Sequence, residues 1–174
     1  ISTKLHIPQL RSTTVERERL IRRLDEGLDH KLTLITAPAG YGKTTLLSEW
    51  AMKLRQSVAW ISLDQRDNDL ARFWGHTVAA LKQAYLEFDE QAVLRHIAED
   101  TTGGSLIAAL VNNLNSISQT GVVIWDDFHM ILDPVIQEGI VYLLERLLSH
   151  VHLYISSRTP PKLSLSRLRA RNEL

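Results

Sequence analysis

The chain contains no cysteine among its 174 residues. Disulfides and thiolate metal sites are therefore excluded, and a reducing compartment such as the cytoplasm fits. It also lacks a charge of one sign: 20 basic and 20 acidic side chains give a formal net charge of zero. No whole-domain electrostatic pull toward nucleic acid follows from that balance. No apolar run approaches the roughly 20 residues that span a bilayer, so no membrane partner is expected. Residues 1–10 carry Lys4, His6 and Pro8 and have no signal-peptide core. The histidines other than His129 show no ligand spacing, so no protein-ligated zinc site is expected. There is no internal repeat and no low-complexity linker.

What is present is an ordinary globular composition, 44% hydrophobic and 23% charged, long enough for one domain with a real core. Short apolar runs rich in β-branched residues read as buried strands at 32–37, 58–63, 122–125 and 153–156. Between them lie segments of helical period. The first helix is expected to start near Val15, with Thr13 and Glu16 at capping-box spacing. Others are expected from Lys43, over 70–88, over 89–98, after Gly103-Gly104, and from Asp133-Pro134 to about Ser149. Alternating strand and helix predict an α/β fold, a three-layer α/β/α sandwich around a mainly parallel sheet. Ligands in such folds sit at the carboxyl ends of the strands. The chain begins at Ile1 and stops at Leu174 without a turn signal, and the expectation is a fragment of a longer protein whose residues 1–174 form a single domain.

The first strand is followed by Ala37-Pro38-Ala39-Gly40-Tyr41-Gly42-Lys43-Thr44-Thr45. This matches the P-loop pattern G-x-x-x-x-G-K-[ST] everywhere but the first position, where Ala37 stands for glycine. Gly40 and Gly42 let successive backbone N–H groups converge on one centre. The helix opening at Lys43 aims its positive dipole end at the same point. Lys43 is expected to reach β- and γ-phosphates, the Thr44 hydroxyl to hold Mg²⁺, and Thr45 to bond the α-phosphate. A nucleoside triphosphate, ATP with magnesium, is the ligand predicted.

The third strand ends in Asp126-Asp127. A carboxylate at the tip of a buried strand near a P-loop is the usual magnesium holder, a role that falls to Asp126. Asp127 is then free to orient or deprotonate an attacking water. His129 reads better as a structural histidine than as a phosphate contact. After the fourth strand, Arg158 would face the γ-phosphate and could distinguish ATP from ADP. Arg167, Arg169 and Arg171 read as a solvated or interdomain face. In the stretch 60–74 the aromatics read as core, Asp67 and Asp69 as caps, and Asp64 stays open between capping and function.

The chain resembles the ATPase domain of the large LuxR-type bacterial transcription activators, the group typified by the maltose-regulon activator, within the signal-transduction ATPases with numerous domains (STAND). The resemblance spans nearly the whole chain. It rests on Thr3-Lys-Leu, Val15-x-Arg17-x-Arg19-Leu20, the P-loop through Leu46, Trp60-Ile-Ser-Leu-Asp64, Asp67-Asn-Asp69, Arg72-Phe73, Asp126-Asp-Phe-His129, Ser156-Ser-Arg158 and Leu168-Arg-Ala-Arg171. It implies an ATP/ADP switch, with ADP in an inactive monomer and ATP plus an inducer in an oligomer that acts through a C-terminal DNA-binding helix-turn-helix. By the same resemblance residues 1–28 would line the adenine side through Val15 and Arg17, residues 29–174 would form the nucleotide-binding core, and Arg158 would be the sensor arginine. It also implies a fifth core strand just after Leu174, which would leave strand one an open edge here.

Three other readings compete. A small-molecule kinase needs an acceptor pocket and usually an arginine-rich lid, and no separate lid is visible unless residues 87–104 hold one. A GTPase needs the Asn-Lys-x-Asp pattern, which is absent. A purely structural domain does not account for intact Lys43, Thr44, Asp126 and Asp127.

Overall fold

The structure, a computed structural model, describes residues 2–9, 17–97 and 103–174. Among these, four strands form one parallel sheet: β1 (Leu32–Thr36), β2 (Ser57–Ser62), β3 (Gly121–Asp126) and β4 (Val151–Ser157), in the order β1-β4-β3-β2. The described helices are α1 (Glu18–Glu26), α2 (Lys43–Lys53), α3 (Leu70–Ala84), α4 (Glu90–Leu94), α5 (Gly104–Ser116), α6 (Pro134–Arg146) and α7 (Ser166–Ala170). This is the expected α/β/α arrangement.

Side chains alternate along each strand, so β3 feeds two cores at once. Val122 and Ile124 pack with Leu24, Leu47 and Trp50 of α1 and α2. Val123 and Trp125 pack with Phe73, Leu110 and Ile140 of α3, α5 and α6. Burial on both faces is why β3 and β4 read as continuous apolar runs. β1 departs from that reading, because its residues after Leu32 are only half-buried or exposed.

Several boundaries differ from the sequence pattern. The Thr13–Glu16 capping box, Val15 and the predicted helix end at Ala98 lie outside the described residues. α3 stops at Ala84, where Tyr85 turns extended and lets both Tyr85 and Phe88 enter the core without a continuing helix. α6 stops at Arg146 for the same reason, with Leu147 extended and buried. β4 begins two residues earlier than its apolar run, at Val151, and its polar His152 is buried with Nδ1 2.8 Å from the His30 carbonyl oxygen.

The two sheet edges are unlike each other. At β2 the N-terminal segment straddles the edge, with Leu5 in one core and Ile7 against the other. Lys4 pins it there through Asp64 at 2.9 Å and through buried Asp67. Asp67 is fully enclosed and also meets His76 Nδ1 at 2.8 Å and accepts from the Asp64 amide at 2.8 Å. At the other edge β1 has one strand neighbour among the described residues, as expected. The Glu173 carbonyl accepts from the amides of Lys31 and Leu32 at the start of β1, at 3.0 and 3.1 Å. Above it a groove of about 750 Å³ runs between β1 and α1, lined by Leu20, Leu24, Leu34, Leu46 and Leu174 among others.

Candidate functional site

β1 delivers the chain to the loop 37–42, and α2 begins at Lys43. Gly40 (φ 83°) and Gly42 (φ 74°) both take left-handed conformations that a Cβ would strain. Ala37 takes no positive φ, so a methyl group at the first P-loop position is tolerated and glycine is not needed there. Its amide donates to the Ser157 carbonyl of β4 at 3.3 Å, which fixes the loop's entry. Lys43 Nζ donates to the carbonyls of Ala37 (2.7 Å) and Pro38 (3.2 Å), holding the ammonium inside the loop with the residue 8% exposed. Pro38, Ala39, Gly40, Tyr41 and Thr45 lie exposed at the surface. Arg17, ahead of α1, donates from Nη1 to the Tyr41 carbonyl at 2.9 Å. Val15 lies outside the described residues.

α1 is held over this face by two polar contacts, one buried and one partly buried. Trp50 Nε1 donates to Asp25 at 2.8 Å and the Tyr154 hydroxyl donates to the Leu24 carbonyl at 2.7 Å. The rings of Trp50 and Tyr154 meet at 4.4 Å between centroids. The helix carrying Arg17 at its start is thereby tied to both α2 and β4.

At the tip of β3, Asp126 is 2% exposed and accepts from Thr44 Oγ1 at 2.7 Å through Oδ2. Its Oδ1 accepts a short hydrogen bond from the Ser156 hydroxyl of β4. Burial pushes the Asp126 carboxyl above the ordinary carboxylate range, the two hydroxyl bonds oppose that, and the neighbouring Asp127 charge adds to it. The cluster presents two hydroxyl oxygens and a buried carboxylate in contact, an arrangement that fits a hard divalent cation. Among the described residues there is no group of three or more His, Cys, Asp or Glu that could hold a metal ion.

Asp127 follows in a left-handed conformation (φ 60°, ψ 39°) and its amide donates to Ser156 Oγ at 3.1 Å. Its carboxylate is partly exposed and lies 3.7 Å from His129 Nδ1. Both ring nitrogens of His129 are buried without a hydrogen-bond partner among the described residues. Burial lowers its pKa, Asp127 opposes that, and Arg158 and Lys43 reinforce it. Contacts join Thr44, Asp126, Ser156, Asp127 and His129 in one neighbourhood. Arg158 is exposed just past β4.

Other sequence-flagged residues lie elsewhere. Trp60, Phe73 and Trp74 are core. Asp64 caps the short 3-10 helix Gln65–Asp67 and Asp69 caps α3, accepting the Arg66 and Arg72 amides at 2.8 and 2.9 Å. The Lys4 contact holds the Asp64 carboxyl below its usual range. Arg169 and Arg171 are exposed. The sequence reading gave Ser156 no role. It appeared there only within the Ser156-Ser-Arg158 stretch, at the end of a buried strand.

The sequence pattern of the AAA domain family matches residues 25–166. Over its whole length the chain is 37% identical, across 175 aligned residues, to the HTH-type transcriptional regulator MalT of Cronobacter sakazakii. It is 36% identical, across 177, to that of Klebsiella pneumoniae. It spans about a fifth of those relatives' length, 19% of each. Among solved structures, Cdc6p of Pyrobaculum aerophilum superposes with a TM-score of 0.56 at 17% identity, covering 95% of this chain and 44% of that one. That likeness concerns the fold.

Proposed function

The chain belongs to the AAA domain family, and on that premise we propose that residues 1–174 form one ATP-binding, slowly hydrolysing domain that serves as a regulatory switch in a larger transcription regulator. The observation that carries this reading is the hydrogen bond from Thr44 at the head of the P-loop helix to Asp126 at the tip of β3. It joins the two elements on which a nucleotide–magnesium site depends.

In this reading the loop amides and Lys43 cradle the phosphates of ATP or ADP, and Thr45 bonds the α-phosphate. Thr44 and Asp126 hold Mg²⁺, which neutralises phosphate charge when bound. Asp127 orients or deprotonates the attacking water. Arg158 faces the γ-phosphate and loses its partner on hydrolysis, so the bound nucleotide can bias the domain's contacts. Arg17 and Val15 lie on the adenine side. The relatives are HTH-type transcriptional regulators, which supports DNA contacted through a helix-turn-helix elsewhere; an inducer bound by other parts of the protein, a homo-oligomer in the ATP state and a cytoplasmic setting complete the proposal.

The test is ligand-linked stability. ATP with Mg²⁺ at millimolar concentration should raise the melting temperature of the full-length protein, and Lys43→Ala should remove most of that rise. Asp127→Asn should slow hydrolysis much more than it weakens binding. Absence of any melting shift would refute the binding site. Equal losses of hydrolysis and binding in Asp127→Asn would refute the assigned division of roles.

A further inference from the structure

β3 and β4 run side by side with Trp125 opposite Ile155, so the next residues, Asp126 and Ser156, stand together at the sheet's upper rim. Strand alternation puts Ser156 on the same face as Tyr154, the face covered by α1 and α2. Ser156 is fully buried. Its hydroxyl has one proton and two lone pairs, and the structure uses it in both senses. It donates to Asp126 Oδ1 and accepts the Asp127 amide.

Continuing the strand by one residue would send the Asp127 side chain to the opposite face. The left-handed turn at Asp127 breaks that alternation, a conformation that costs energy in a residue with a Cβ. The Ser156 oxygen is the acceptor that holds the Asp127 amide in this turn. One side chain therefore fixes both the direction of the Asp126 carboxylate and the bend that sets where Asp127 points. Arg158 follows just past the end of the same strand and is exposed.

We propose that Ser156 is a positioning residue for hydrolysis, registering the water-side carboxylate Asp127 against the metal-side carboxylate Asp126. This rests on the ATPase reading of the site. Ser156 touches neither nucleotide nor water in this role. It acts through the two aspartates, so its loss affects turnover and leaves ground-state nucleotide binding in place.

In the full-length protein, Ser156→Ala and Ser156→Val should each lower kcat by about ten- to hundredfold, the scale of a lost hydrogen bond to a charged group. ADP affinity should stay within about threefold, and Ser156→Thr, which restores the hydroxyl on the shape of Val, should recover kcat to within about threefold of wild type. The Asp127 amide should exchange with solvent at least about tenfold faster in Ser156→Ala. A kcat unchanged in Ser156→Ala overturns the proposal, as does a parallel fall in kcat and ADP affinity, or Thr failing as badly as Val with Asp127 exchange unchanged. If the wild-type protein shows no ATPase activity, the site reading fails by itself. The Ser156 link is then judged by exchange alone: faster Asp127 exchange in Ser156→Ala upholds it and unchanged exchange overturns it.

Discussion

Thr44 Oγ1 and Asp126 Oδ2 stand 2.7 Å apart across 82 residues of sequence. The bond joins the rim of the sheet to the head of the P-loop helix. A buried carboxylate is expensive unless it is hydrogen-bonded, and here both oxygens are occupied by hydroxyl donors. Burial nevertheless outweighs those bonds and raises the carboxyl's pKa, so the charged form is held at a cost.

That cost predicts a pH dependence. Asp126 has its folded pKa raised by burial above the ordinary 3.8. An acid shifted upward binds its proton more tightly when folded, so its contribution to stability is present below the ordinary value and is lost as pH rises through the raised one. Asp126→Asn removes that loss. The melting temperature of Asp126→Asn relative to wild type, without nucleotide or metal, should therefore increase as pH rises from about 4 toward neutrality. A difference flat in pH, or one of opposite slope, would show that the carboxylate is fully compensated.

Tyr154 offers a cleaner measure of how α1 is held. Replacing it with phenylalanine keeps the ring against Trp50 and removes the hydroxyl donor to the Leu24 carbonyl, leaving that oxygen the Gly27 amide. The expected loss is about 1–2 kcal/mol in urea unfolding. A change under about 0.3 kcal/mol would mean the Gly27 amide alone satisfies that carbonyl.

Lys4 carries a larger burden. Lys4→Met keeps the apolar stem and removes the charge facing Asp64 and enclosed Asp67. Asp67 keeps its contacts with His76 and the Asp64 amide, so the expected loss is about 1–3 kcal/mol. Proteolysis of the first residues should accelerate in the same variant. Unaltered stability together with unaltered proteolysis would show that Leu5 and Ile7 suffice to seat the segment.

The strands, the P-loop and the Asp126-Asp127 pair were legible because each rests on local chemistry. Apolar runs of β-branched residues, glycines at fixed offsets and carboxylates at a strand tip all lie within a few positions of one another. Ser156 and the Lys4–Asp67 contact were not legible, because each depends on residues 30 and 63 positions apart meeting in space. Helix ends misled where a buried aromatic or leucine, such as Phe88 or Leu147, continued the hydrophobic pattern after the backbone had become extended. His152 concealed the start of β4 because a histidine satisfied by a backbone carbonyl is invisible to hydrophobic periodicity.

Ala37 is an unplanned control on the loop. Its backbone needs no left-handed freedom, so Ala37→Gly should leave ATP affinity within about twofold while lowering stability by about 0.5 kcal/mol through added unfolded-state entropy. Thermal melting with and without nucleotide separates the two. A gain in affinity of tenfold would show that the methyl group crowds the phosphates.

The segment pinned by Lys4 gives the sheet a polarity of growth. A strand edge is a template, and here the template at β2 is occupied on both faces by a single short stretch of the chain, while the one at β1 remains available among the described residues. Any further strand, from this polypeptide or another, has one side on which to join. A strand that joined β1 would lie beside the strand that feeds the P-loop, so an addition on that side would sit next to the candidate site.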